Sequence, residues 1–127
     1  ELMVKRSATR VAFGKPIAKL GKNLEVISRA RIEIDAMRLM VLQAAKAMDV
    51  LGNKEARVYV SAVKAMVPEK VCLIIDQAIQ MHGGMGISQD TPLAHMWTHV
   101  RTLRLADGPD AVHRRQVARA ELRRYTN

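Results

Sequence analysis

The stretch NLEVISRARIEIDAMRLMVLQAAKAMDVLG, residues 23–52, sets apolar side chains at Leu24, Ile27, Ile34, Met37, Val41, Ala44, Met48 and Leu51. Steps of three, four and seven fit a 3.6-residue period, so the segment reads as one amphipathic helix that turns this face to a core. Asn23 is a residue type that caps helix starts and Gly52 one that follows helix ends, which makes the helix about 28 residues and about 42 Å long. A rod of that length in a chain of 127 residues points to a helical bundle.

Downstream, a second long helix is predicted over 54–81, carrying Tyr59, Ala62, Met66, Leu73 and Ile74. Pro68 is expected to kink it, because proline removes one backbone donor and crowds the preceding turn. His82-Gly83-Gly84-Met85-Gly86 stops that helix, and Ser88, Asp90 and Pro92 signal the start of a third over 92–106. Asp107-Gly108-Pro109 is a second stop and start, with Pro109 suited to the first turn of a last helix reaching about residue 124. Upstream, residues 1–12 read as the end of a helix, and Phe13-Gly14-Lys15-Pro16 as a turn. Because the sequence opens at Glu1 with a helical pattern under way, it reads as a fragment of a longer protein. The expected fold is all-α, a single up-and-down four-helix-type bundle spanning 1–127.

Composition agrees with that reading. With 49% apolar and 26% charged residues, the chain lies away from the signature of disorder. Trp97, Tyr59, Tyr125 and Phe13 are the aromatic residues, so the core must be aliphatic, which favours helix on helix over stacked sheets. Cys72 is the single cysteine and sits in the apolar run 71–75; it reads as a buried thiol and rules out an internal disulfide. No apolar run reaches the length of a membrane helix, and the N-terminus lacks a signal-peptide core.

A net charge of +9, with Arg114, Arg115, Arg119, Arg123 and Arg124 crowded near the end, raises a nucleic-acid partner. The other marks of one are missing: there is no aromatic platform, helix-turn-helix spacing or zinc module. No nucleic acid is therefore expected, and the arginines are assigned to a subunit interface or to solvent. His95 and His99 stand four apart, on one helical face, but lack a third ligand, so they read as a polar face and no metal site is expected. Gly83-Gly84-Met85-Gly86 suits either a phosphate cradle or a plain helix stop.

Three motifs together carry a more specific reading. Arg10-x-x-Phe13-Gly14-Lys15-Pro16-Ile17, then the run from Ala78 through Gln80 and His82-Gly83-Gly84-Met85-Gly86 to Ile87, then Asp107-Gly108-Pro109-Asp110-Ala111-Val112-His113 resemble, in order and spacing, the C-terminal helical domain of the acyl-CoA dehydrogenases. The resemblance covers nearly the whole chain. It implies an FAD-dependent enzyme in which an N-terminal helical domain and a middle β-domain precede this bundle. It implies α,β-dehydrogenation of an acyl-CoA thioester, a carboxylate taking the α-proton while hydride leaves the β-carbon for flavin. Arg10 corresponds to an arginine that reaches the FAD pyrophosphate of a neighbouring subunit, a contact suited to a guanidinium. Phe13 would lie beside the same cofactor, or else anchor the turn as a core residue. Gln80 and the Gly83-Gly84 backbone would line the adenosine diphosphate portion.

The resemblance places the catalytic base at Asp107, where the family usually has glutamate; the alternative is that Asp107 caps the last helix. Ala106 and Pro109 stand where tyrosine and threonine are usual, Gly21 where glutamine is frequent, and Thr98-His99 where Arg-Asp is frequent. The pattern resembles the divergent aspartate-containing branch, associated with long-chain or unusual acyl-CoA substrates. The implied partners are acyl-CoA, an electron-transfer-flavoprotein-type acceptor and further copies of the chain in a homodimer or homotetramer. The implied compartment is the cytoplasm of a bacterium or, in a eukaryote, the mitochondrial matrix or peroxisome. A different reading is a catalytically inactive structural or oligomerisation module of the same fold.

Overall fold

Gly52 divides the longest element of the chain. In a computed structural model, which describes residues 1–126, helix α2 runs Asn23–His82, and Gly52 alone in its interior leaves helical dihedrals, at φ 77°, ψ 172°. That backbone region is open essentially only to glycine. The chain doubles back there, so the predicted pair of long helices is a helical hairpin of two arms, 23–51 and 53–82. Lys70 pairs with Glu33 across the arms at 2.7 Å, and Ala30 meets Ile75 and Ala78 near the open end. Pro68 lies buried in the second arm, and helical dihedrals continue through it.

The arms meet through small side chains. Ala30, Ala44, Ala47, Ala56, Ala65 and Ala78 are all buried, with Met37 and Ile75. Several larger residues expected at the core are exposed instead: Leu24, Ile34, Val41, Met48 and Leu51. Alanine lets two backbones approach closely, and the apolar period runs wider than the face the partner arm covers.

The other helices close around the open end. Helix α1, Leu2–Thr9, contributes Met3, and α4, Leu93–Leu103, contributes Leu93, Trp97 and Val100 to a cluster with Ala30, Ile75 and Ala78. The core is aliphatic apart from Trp97. The four-residue helix α3, Gly84–Ile87, joins α2 to α4, and α5, Asp110–Leu122, lies on the second arm through Arg114–Glu69 at 2.5 Å. The two arms, α4 and α5 make the four rods of an all-α bundle.

One element departs from the expected all-helical course. Strands β1, Val11–Ala12, and β2, Lys15–Pro16, pair antiparallel, Val11 with Pro16 and Ala12 with Lys15. The turn expected at 13–16 is the tip of this ribbon. Phe13 at φ 50° and Gly14 at φ 76° are the two central residues, and both have the positive φ that a type I′ hairpin requires. A short 3₁₀ turn, Ile17–Lys19, then leads to α2, and Asn23 Nδ2 donates to the Ile17 carbonyl at 2.7 Å. Asn23 thus ties the hairpin down, and Lys22 takes the cap position.

Candidate functional site

The turn between α4 and α5 carries Asp107. After Leu103 the chain winds on, with the Leu105 and Ala106 amides both donating to the Thr102 carbonyl at 2.9 Å. Asp107 at φ 55° and Gly108 at φ 102° then redirect it. A left-handed residue costs about 1 kcal/mol for a side chain that bears a Cβ, less for aspartate than for most. Contacts from elsewhere hold this conformation. His113 Nε2 donates to the Asp107 carbonyl at 3.1 Å, and Lys64 Nζ donates to the Gly108 carbonyl at 2.9 Å.

The base of the turn is clamped as well. Arg104 Nε donates to Asp110 Oδ2 at 2.7 Å, and this bond raises the pKa of the guanidinium. Asp110 is buried, and its Oδ1 has no hydrogen-bond partner. The Asp107 carboxylate differs: it is exposed on this chain, and among the described residues no hydrogen bond is made to it. No side chain caps α5, and the acid in its first turn is Asp110. Asp107 therefore does not serve as a helix cap.

The other sequence-derived positions fall elsewhere. Arg10 ends α1, with its carbonyl accepting from the Ile17 amide at 2.8 Å; its guanidinium is exposed and has no carboxylate partner among the described residues. Phe13 is 94% exposed at the hairpin tip, so it is not a core anchor. Gln80 is exposed in the last turn of α2. Gly83, at φ 65°, ends that helix with its amide shared between the carbonyls of Ile79 (3.0 Å) and Gln80 (3.2 Å). A Cβ at Gly83 or Gly84 would meet nothing within 4 Å, whereas at Gly86 it would lie 2.6 Å from the Ile79 carbonyl oxygen. The run of glycines thus combines an open surface at 83–84 with a packing requirement at 86.

These positions form two groups. The hairpin is fastened to the start of α2, and the start and end of α2 lie side by side, so Arg10, Phe13, Gln80, Gly83 and Gly84 share the end of the molecule opposite Gly52. Asp107 is held by Lys64, sixteen residues before Gln80 and so about 24 Å along the second arm. Clefts of about 470 and 480 Å³ open along α2 and between α1, α2 and α4, and neither includes a residue of the two groups. Among the described residues, no three of His, Cys, Asp and Glu gather in a way that would hold a metal ion. His95 and His99 are both exposed.

Residues 1–122 match the family model for the acyl-CoA dehydrogenase C-terminal domain. The chain belongs to the acyl-CoA dehydrogenase family. It is 50% identical over 123 residues to the probable acyl-CoA dehydrogenase FadE2 of Mycobacterium tuberculosis, covering 97% of this chain and 30% of that protein. A solved structure from Mycobacterium abscessus superposes with a TM-score of 0.96 at 50% identity, over 98% of this chain and 31% of that one. Butyryl-CoA dehydrogenase from Megasphaera elsdenii superposes at 0.86 with 25% identity, over 95% and 31%. The chain thus spans about a third of the length of these three proteins, and a smaller part, 15%, of the probable acyl-CoA dehydrogenase IBR3 of Arabidopsis thaliana. The family is one of flavoprotein oxidoreductases.

The residues at the open end fit a flavin dinucleotide. An unpartnered guanidinium suits a pyrophosphate, an exposed ring suits a planar group, and a glycine surface with no atom over it admits close approach of the main chain.

The residues that fix the Asp107 turn were not singled out by sequence. Asp110 and His113 lie inside the third motif, six residues or fewer from Asp107. Lys64, and Ser61, which faces His113 Nδ1 at 3.4 Å, lie more than 40 residues away in the helix predicted over 54–81, where no local pattern signals them.

Proposed function

We propose that this chain is the C-terminal helical domain of an FAD-dependent acyl-CoA dehydrogenase, with Asp107 as the base that takes the α-proton of the acyl-CoA thioester. The observation that carries the proposal is the turn itself: its backbone is fixed by side chains from two elements while its carboxylate is left without a partner. A carboxylate engaged in capping or an ion pair would be a poorer proton acceptor. As the α-proton passes to Asp107, the electron pair of that C–H bond enters the new Cα–Cβ double bond. FAD, when bound, supplies the acceptor for the hydride that leaves the β-carbon.

Arg10, Phe13, Gln80, Gly83 and Gly84 would hold the adenosine diphosphate portion of FAD. Their distance of about 24 Å from the Asp107 turn along α2 supports a division of labour in which one chain completes the cofactor site of a neighbouring copy and supplies the base to its own. That arrangement requires a homodimer or homotetramer. The exposed state of Asp107 on this chain leaves its carboxylate open toward a site that the other domains and the substrate would close against water. Ala106, where tyrosine is usual, would leave room beside the reacting carbons for a bulky acyl chain, and Pro109, where threonine is usual, would delete a hydroxyl and a backbone donor near the flavin. Electrons would pass on to an electron-transfer-flavoprotein-type acceptor.

The test is anaerobic bleaching of the flavin in the full-length protein by a panel of acyl-CoAs. Wild type is expected to bleach, and Asp107→Asn to bleach about 10²- to 10⁴-fold more slowly, the range that general-base catalysis supplies. An unchanged rate in Asp107→Asn would remove the base assignment. A wild type that holds FAD and bleaches with no acyl-CoA would favour the structural-module reading.

A further inference from the structure

We propose that Lys64 and His113 are positioning residues that aim the Asp107 carboxylate, an inference that rests on Asp107 being the base. Neighbouring sequence clamps only the base of this turn, through Arg104 and Asp110. Helix α4 has ended at Leu103, the N-cap of α5 is Pro109 with no side-chain cap bond, and two successive residues have positive φ. Such a conformation persists only where the surroundings over-determine it.

The surroundings here are the second arm of α2. Ser61 and Lys64 are three residues apart, on one face and one turn from each other. Lys64 Nζ reaches the Gly108 carbonyl at 2.9 Å. Buried Ser61 faces His113 Nδ1 at 3.4 Å and is bonded to Gln116, while His113 Nε2 reaches the Asp107 carbonyl at 3.1 Å. His113 thus bridges the arm and the turn, and a Cβ at Gly108 would stand only 3.3 Å from its Nε2. The carbonyls of Asp107 and Gly108 are both tied to rods of the bundle. Neither side chain engages the carboxylate, so both act through the backbone that carries it.

Lys64 carries the test, because among the described residues its ammonium makes the only direct hydrogen bond from α2 to the turn. In the full-length flavoprotein, Lys64→Met keeps most of the unbranched side chain and removes the donor. The expected result is a kcat lower by about ten- to a hundredfold, the cost of a misplaced reacting group, with KM for acyl-CoA and FAD content within about twofold of wild type. The kinetic isotope effect from α-deuterated acyl-CoA should rise, because proton abstraction becomes more rate-limiting, and Lys64→Arg should restore kcat. His113→Phe should repeat the pattern of Lys64→Met. Wild-type kcat in both Lys64→Met and Lys64→Gln would overturn the proposal, as would a parallel loss of FAD content and kcat in both, which marks a merely structural lysine. Asp107→Asn separates the two levels: if it abolishes bleaching while the Lys64 and His113 variants match wild type, the base reading stands and the positioning role falls.

Discussion

Gly84 and Gly86 stand two residues apart in one short helix, yet they answer to different constraints. At Gly86 a methyl group would sit 2.6 Å from the Ile79 carbonyl oxygen and 2.9 Å from the Ile79 Cα, backbone atoms that cannot rotate away. At Gly84 it would meet nothing. Gly86→Ala should therefore lower the stability of the full-length protein by about 1–3 kcal/mol, the cost of overpacking, whereas Gly84→Ala should be neutral or slightly stabilising through helix propensity. Urea denaturation of the pair measures the difference, and equal midpoints would show that Gly86 is not a packing glycine. The same residue-scale contrast runs through the acids of the last turn. Asp110 is buried against Arg104, and Asp107, three residues earlier, is exposed and unpaired, so a site that sequence marks only as a run of acids and glycine separates into a clamp and a free carboxylate.

At the scale of elements, the bundle depends on a reversal at Gly52. Its φ 77°, ψ 172° is a conformation that costs a residue with a Cβ about 1–3 kcal/mol, and no atom lies within 4 Å of where that Cβ would be. The whole penalty of Gly52→Ala is then backbone strain: the unfolding free energy should fall by that amount, through a lower urea midpoint at an unchanged denaturant slope. A Gly52→Ala protein as stable as wild type would mean that the arms do not need this reversal. Gly52 as a helix end was legible in the sequence, as were both long helices, because a 3.6-residue period sustained over seven turns has no competing reading. The buried face was less legible. Periodicity weights Leu24, Val41 and Leu51 along with Ala44, but close approach of the arms selects Ala44 together with Ala30 and Ala47, and hydrophobicity alone does not distinguish a residue buried by a partner arm from one awaiting another cover. The two-residue strands at 11–16 lie below the length at which alternation can be detected. The ties from Lys64 and Ser61 to the Asp107 turn join residues 44 to 55 apart, and only the folded chain brings them together.

The whole molecule exposes more surface than a self-contained domain should. A folded monomer of 14.2 kDa is expected to expose about 6,800 Å², and this chain exposes 9044 Å², about a third more. Part of the surplus is apolar: Ile32, Leu39 and Val50, each more than two-thirds exposed, fall at steps of seven and eleven along one edge of the first arm, away from the alanine face. The residues suited to FAD share this openness. Arg10 and Phe13 project from a hairpin, Gln80, Gly83 and Gly84 border open space, and the larger clefts lie elsewhere. Ligand sites bury most of a ligand's surface, so one guanidinium, one ring and a glycine shoulder can contribute to a dinucleotide site but cannot enclose one. The 127-residue chain by itself should bind no stoichiometric FAD in equilibrium dialysis, and the full-length protein should hold one FAD per chain. One FAD tightly held per isolated chain would show that the helical bundle is a complete cofactor site, and the assignment of these five residues to a site shared between copies would then be wrong.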